Sequence, residues 1–311
     1  MFVGVVKQGQ GAVTSLLSSL SGIYEDLLYL SNLSDYLAID VPRAAGSVRV
    51  GATPGDGLRL AHVTFRYPGS SRPALQDVSL HLPPGQHVGL MGANGSGKTT
   101  LVKLLTGLYR AEEGVVTLDG TDVHDWDPGA LRERMGVLFQ PFVRYKMTAR
   151  DNIAMGRGLR ETGDDELRAA AEAGIAGDVL DELPEGLDTR LSRRFLDGRE
   201  LSGGQWQRLA LARAMLRDQA DILILDEPTA AMDAAAEAEF MRASETRDLD
   251  RTVVLISHRL ANLRHADQIL VLDGGRLVES GTHESLIESG GVYAELFKAQ
   301  AAPYSPRRSP A

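Results

Sequence analysis

Val88-Gly89-Leu90-Met91-Gly92-Ala93-Asn94-Gly95-Ser96-Gly97-Lys98-Thr99-Thr100 is a short apolar run that opens into a glycine-rich turn and then into Lys-Thr-Thr. Residues 92–99 fit the pattern G-x-x-x-x-G-K-[ST], directly after a buried-strand signal and directly before a helical one, Thr99 to Thr106, ended by Gly107. That is the context in which the pattern binds phosphate. The glycines let successive backbone N–H groups turn inward on phosphate oxygens, and the helix N-terminus adds its partial positive charge. Lys98 then reaches the β- and γ-phosphates and the Thr99 hydroxyl ligates Mg²⁺. The bland alternative is a glycine-rich turn that happens to precede Lys-Thr, and the flanking strand and helix count against it.

Further along, Ile222-Leu223-Ile224-Leu225-Asp226-Glu227 is a continuous apolar run whose end delivers two adjacent carboxylates. Open α/β sheets bind ligands at the carboxyl ends of their strands. One acid of such a pair can hold Mg²⁺ while its neighbour deprotonates a water, roles assigned to Asp226 and Glu227 respectively. An acidic strand end before the Pro228 turn is the alternative. Leu201-Ser202-Gly203-Gly204-Gln205 precedes a third helical pattern through Trp206, Leu209 and Ala210. Ser202 and Gln205 form a capping box, which suffices for the helix. The double glycine exposes backbone N–H groups at a positive helix end and also suits a second anion contact; spacing alone leaves the two readings level.

Around these motifs, Val63, Phe65 and Tyr67 alternate with Thr64 and Arg66, and Val78, Leu80 and Leu82 with Ser79 and His81, which predicts two half-buried antiparallel strands. Val88–Met91, Val137–Phe139, Ile222–Leu225 and Val253–Ile256 are continuous apolar runs of the parallel, doubly covered kind. Between about Pro141 and Asp218 the strand signal gives way to Ala, Leu, Glu and Arg, a helical insertion. A hairpin is expected around Gly274-Gly275, and a last helix includes Tyr293 to Lys298. From Val13 to Leu28 apolar residues recur near a 3.6 period and define an amphipathic helix. Pro42, Gly46, Gly51, Pro54, Gly55 and Gly57 then mark a linker, with a domain boundary near Leu58.

The chain has 311 residues, enough for about two domains or one large α/β domain. Its 33 basic against 42 acidic residues give a net charge of −9, which argues against a broad grip on nucleic acid or an anionic bilayer. With no cysteine there is no disulfide frame, thiolate metal site or Cys nucleophile. No run reaches the roughly 18 apolar residues of a membrane span, and Phe2–Val6 is too short for a signal-peptide core.

Taken in order, the 92–99 loop, Leu201–Gln205 and the pair 226–227 resemble the Walker A, signature and Walker B motifs of an ATP-binding cassette (ABC) protein. The resemblance covers residues 58–300. It implies an α/β fold with a P-loop NTPase core sheet, an antiparallel β subdomain and an inserted helical subdomain at about 141–218, preceded here by the amphipathic helix (1–40) and linker (41–57) and followed by a disordered tail (301–311). It further implies that Tyr67 stacks on adenine, that Gln140 is the Q-loop residue linking the metal site to the helical subdomain, that Asp233 lies in the D-loop, and that His258 contacts the γ-phosphate. Alone, Tyr67 would read as a packed strand end, Gln140 and Asp233 as solvated polar residues, and His258 as structural.

The implied ligands are ATP and Mg²⁺. The implied nucleotide set is Tyr67, Gly92, Asn94, Gly95, Ser96, Gly97, Lys98, Thr99, Thr100, Gln140, Ser202, Gly203, Gly204, Gln205 and Asp233; the metal set is Thr99, Gln140 and Asp226, and the catalytic set Glu227, His258, Lys98 and Gln140. The sequence departs from the family pattern at Ala230-Ala231-Met232-Asp233, with Ala where Ser is common, at Arg193–Glu200, which is not an acidic-Gly-Glu-Arg-Gly stretch, and at Pro141 after Gln140.

Three functions compete: a transporter motor, a soluble ATPase acting on nucleic acid or ribosomes, and a non-hydrolysing regulatory protein. Chromosome and repair ATPases place a long coiled coil between the phosphate loop and the signature, and no sustained heptads lie between Thr99 and Leu201. Translation-type proteins resemble two cassettes in one chain, and a non-hydrolysing relative is expected to lack Glu227 or His258. The N-terminal helix and linker resemble the cytoplasmic end of the last membrane helix of a fused exporter, and the run Ile256–Leu260 through Gly281–Glu284 is similar to exporters of lipid, peptide or drug type. The expectation is therefore an exporter motor on the cytoplasmic side of the membrane, its membrane domain outside this chain, acting as a head-to-tail pair of cassettes with ATP at the interface and with no nucleic acid partner. A soluble ABC ATPase in a non-transport process is the alternative.

Overall fold

The computed structural model describes residues 2–39, 46–158, 161–217, 219–247 and 251–301. In chain order these form α1 (Phe2–Leu37), β1 (Leu58–Phe65), β2 (Leu75–Leu82), β3 (His87–Gly92), α2 (Lys98–Leu105), β4 (Glu113–Leu118), β5 (Thr121–Asp122), α3 (Pro128–Glu133), β6 (Met135–Leu138), α4 (Ala149–Ala154), α5 (Asp164–Ala173), α6 (Gly177–Asp181), α7 (Gly203–Met215), β7 (Ile222–Asp226), α8 (Ala234–Arg247), β8 (Thr252–Ile256), β9 (Gln268–Asp273), β10 (Arg276–Gly281), α9 (His283–Ser289) and α10 (Val292–Ala301). The chain divides into two compact units, 1–45 and 46–311.

The four continuous apolar runs pair as parallel strands of one sheet, ordered β10-β9-β3-β8-β7-β6, with only β10 antiparallel at its edge. Leu90 lies opposite Ile256, and Asp226 opposite Ile256 on the other side of β8. Because β3, β8, β7 and β6 run the same way, the segments that follow them leave the sheet at one edge: the glycine loop, the His258 turn, the acid pair and Gln140. The second sheet, β2-β1-β4-β5, is antiparallel. In β1 a register shift at His62, whose φ is +51°, lets Ala61 and His62 both face out and returns Val63 and Phe65 to the core. The strand stops at Phe65, so Tyr67 lies beyond it rather than continuing the alternation.

Helices α4 to α7 form their own core around Ile153, Leu167, Leu180, Leu191 and Trp206, in the insertion expected at about 141–218. α7 has two apolar faces. Trp206, Leu209, Ala212 and Leu216 enter that helical core, while Ala210, Leu211 and Ala214 pack with Leu223 and Leu225 of β7. Burying each leucine contributes roughly 1.5–3 kcal/mol, so α7 is fixed to both layers at once.

The region marked by glycine and proline is bound along much of its length. Residues 40–45 lie outside the described residues, but 46–57 run as a strap along β5 and the turns beside it. Val48 bridges Trp126, Thr53 N–H donates to Asp119 O at 2.8 Å, and Gly55 and Gly57 N–H donate to the buried Asp119 carboxylate at 3.2 and 3.0 Å. The same carboxylate accepts from Arg134 at 3.0 Å, and Arg134 also pairs with Asp221 at the foot of β7. Both partners hold the guanidinium pKa above its ordinary value, Asp221 contributing most.

α1 extends well past Val13–Leu28 at both ends, because no proline occurs between Phe2 and Leu37 to stop it. No helix among the described residues is long and apolar enough to cross a membrane. The tail expected to be disordered lies outside the described residues from 302 onward.

Candidate nucleotide site

β3 is apolar and buried up to Met91, so the turn that follows is anchored at its root. Gly92 has φ +152°, and a Cβ there would fall 2.2 Å from Leu272 O and 2.5 Å from Ser96 Oγ. Gly95 has φ +79° and open space where a Cβ would point, so the exposed rim of the loop offers bare backbone. Gly97 starts α2. Lys98, 7% exposed, folds back so that Nζ donates to Gly92 O at 2.7 Å and Ala93 O at 2.9 Å. Burial lowers its pKa, opposed by the nearby Asp226 and Glu227 charges. Ser96 is 3% exposed, and its Oγ has no hydrogen-bond partner among the described residues. Such a group is costly unless something satisfies it, and a phosphate oxygen held by this loop would do so.

Asp226 closes β7 at 4% exposure, and its Oδ2 accepts from Thr99 Oγ1 at 3.2 Å, which brings the loop and the acid strand together. Burial raises its pKa, and the Thr99 hydrogen bond opposes that shift. Hydroxyl and carboxylate oxygens converging in this way are the hard donors that Mg²⁺ takes. Glu227 takes the left-handed conformation, φ +50°, and its N–H donates to Ile256 O at 3.0 Å. The carboxylate thereby turns toward the segment after β8, where Oε1 lies 2.5 Å from His258 Nε2, a hydrogen bond when that nitrogen carries the proton.

Ser202 caps α7, accepting from Gln205 N–H at 3.2 Å, while Gln205 Oε1 accepts from Ser202 N–H at 2.9 Å. Gln205 Nε2 reaches Glu182 at 3.2 Å. Ser202 and Gly203 are exposed. Tyr67 is half-buried, edge-on to Phe65 and Tyr109, and its hydroxyl meets Thr100 Oγ1 at 3.1 Å, tying the ring to α2. Asp233 serves as a local cap, accepting from the N–H groups of Ala235 and Ala236. Asn94 and Gln140 are exposed. The contacts join Thr99 to Asp226 and Glu227 to His258, the two acids being adjacent in the chain and their charges acting on Lys98, and they join Tyr67 to Thr100.

Two further residues support these groups. Gln207 holds Glu227 O and Ala231 N–H, and a glutamine amid Trp206, Leu209 and Ala210 on a helix was a legible sign that a buried partner existed. Gln300 donates to His258 O at 2.7 Å and accepts from Leu260 N–H at 3.1 Å. Its position in α10 carries no sequence signal for that contact.

Comparison with known proteins identifies the family. The family described as ABC transporter matches residues 75–230. An ATP-dependent lipid A-core flippase of Sodalis glossinidius (strain morsitans) is 37% identical over 304 residues, 93% of this chain and 51% of that protein. The protein of the same description from Thiobacillus denitrificans (strain ATCC 25259 / T1) is 43% identical over 243 residues, 78% of this chain and 41% of its own. Among solved structures, a bacterial Atm1-family ABC exporter with ATP bound superposes with a TM-score of 0.78 at 33% identity, covering 90% of this chain and 48% of that one. The chain spans about half the length of the curated relatives it matches.

Proposed function

Since the chain belongs to the ABC transporter family and carries its nucleotide-binding domain, we propose that this domain hydrolyses ATP to drive export of a lipid or another amphiphile through a membrane-spanning region or partner. It works on the cytoplasmic side of that membrane. The lipid A-core flippases among the relatives support the cargo class, and the Atm1-family exporter supports the direction.

The phosphates of ATP lie on the loop 92–99, where Ser96 Oγ and the backbone N–H groups donate to them. Lys98 has two donors on loop carbonyls and a third to give the γ-phosphate. Tyr67 faces the base. Thr99, Asp226 and Gln140 would hold Mg²⁺, which would supply neutralisation of the phosphate charge. Glu227 accepts the proton of the attacking water, His258 steadies Glu227 and the γ-phosphate, and the β–γ bridging oxygen leaves with ADP.

The turn Ser202–Gln205 of a second copy completes each site, with Asp233 at the same interface. Its exposed hydroxyl and open Gly203 at the positive end of a 13-residue helix suit the far side of the γ-phosphate. Two chains thus enclose two ATP, and hydrolysis releases the pair.

The observation that carries this reading is the double convergence at one sheet edge, Thr99 on Asp226 and Glu227 on His258. Phosphate release from ATP by the purified chain, with and without Mg²⁺, tests it. Absence of Mg-dependent release at any protein concentration would overturn it.

A further inference from the structure

α7 carries the Ser202–Gln205 turn at its start and, one turn further on, Gln207, which is 2% exposed. The Gln207 side chain faces the loop after β7: Nε2 donates to Glu227 O at 2.7 Å, and Oε1 accepts from Ala231 N–H at 2.6 Å. One amide therefore closes both ends of the 227–231 loop. The two glycines of the turn divide their work. Among the described residues nothing lies within 4 Å of a Cβ on Gly203, whereas a Cβ on Gly204 would sit 2.7 Å from Ala231 O. Gly204 and Gln207, three positions apart and so on one face of the helix, both address Ala231.

Glu227 is held in a left-handed backbone that non-glycine residues seldom adopt. Its N–H is fixed by β8 and its C=O by Gln207. Since α7 is packed into the helical core on one side and against β7 on the other, a displacement of its first turn reaches Glu227 through this amide with no slack loop between.

We propose that Gln207 is a positioning residue that couples the Ser202–Gln205 turn to Glu227 of the same chain, so that engagement of the turn by ATP held on a second copy sets the geometry of hydrolysis on the first. The coupling rests on the ATPase reading and on the paired arrangement above. It makes hydrolysis at the two sites cooperative, because each turn serves one nucleotide and aims the acid at the other.

The test compares the full chain with Gln207→Ala and Gln207→Glu. Gln207→Ala is expected to lower kcat about 10- to 100-fold, the scale of a misplacement near 1 Å, with KM and the affinity for a fluorescent ATP analogue within about twofold and the Hill coefficient falling toward 1. Amide hydrogen exchange at Ala231 rises in the same variant. Gln207→Glu keeps the acceptor for Ala231 but, once ionised, loses the donor to Glu227 O. Its kcat relative to wild type should recover as pH falls and the carboxyl regains a proton, a rescue that a purely structural role does not produce. An unchanged kcat and Hill coefficient in Gln207→Ala overturns the coupling and leaves the ATPase reading standing. Loss of analogue affinity together with thermal stability, without rescue in Gln207→Glu, reduces the residue to packing and overturns it too. A wild-type chain that hydrolyses no ATP removes the ATPase reading and the coupling together.

Discussion

The loop at 92–99 and the turn at 202–205 are both glycine-bearing helix starts, yet they are built in opposite ways. The loop holds its own lysine, Lys98 being bonded to carbonyls five and six residues back, and Ser96 and Lys98 are buried. The turn is exposed at Ser202 and Gly203, and what positions it comes from far away in sequence, Glu182 through Gln205 and Ala231 through Gly204 and Gln207. A buried loop that holds its own lysine presents a ligand with a set geometry, whereas an open turn tied to distant residues depends on how those contacts are arranged.

Lys98→Ala removes the loop's charged donor, and phosphate release should fall by at least about 10³-fold; a variant that kept the wild-type rate would show that the loop is not where turnover is decided. Glu227→Gln keeps shape but cannot take a proton, so turnover should drop about 10²- to 10⁴-fold while ATP remains bound. Size-exclusion chromatography should then show a dimer with Mg-ATP and a monomer with ADP, and a monomer under both conditions would contradict the open turn's place in a paired site.

A smaller effect sharpens the contrast. Ser202→Ala deletes the cap of α7, worth about 1 kcal/mol. ATP-driven pairing, followed by analytical ultracentrifugation, should weaken about tenfold, the equivalent of about 1.4 kcal/mol, while nucleotide binding to the isolated chain stays as it was. Equal loss of both would mean the two regions are not independent.

The smallest effect concerns stability. Burial raises the Asp226 pKa, so keeping its carboxylate charged in the fold costs stability at pH values above the folded-state pKa; the cost declines as pH falls through that pKa and is gone below the ordinary carboxylate range. Asp226→Asn should therefore raise the thermal midpoint at neutral pH. That gain should shrink on acidification; calorimetry across pH reads it, and a gain that grew instead would reverse the assignment.

The same contrast explains what was legible in the sequence. The loop, the acid pair and the capping box are local patterns, and the structure has Lys98, Thr99, Asp226 and Ser202 in the corresponding turns and strand ends. Strand β4 went unread because Glu113 and Gly114, the latter at φ +79°, break its alternation. α8 went unread because Ala and Glu dominate it without an apolar stripe. Gln207 and Gln300 act through partners 20 to 42 positions away, a separation at which single-sequence periodicity says nothing. Glycines 55 and 57 suggested slack, and the neighbour that takes it up, Asp119, is more than sixty residues distant.

Seen as a mechanical part, that strap is a tow line. A pull on residue 46 is taken by the Val48 bridge to Trp126 and by the grip of Asp119 on the N–H groups of Gly55 and Gly57. Asp119 hands it to Arg134, and Arg134 to Asp221, the residue just before the strand that ends in Asp226. Every link is a hydrogen bond or an ion pair. A displacement of residue 46 would thus bear on the foot of the strand whose far end carries the two acids.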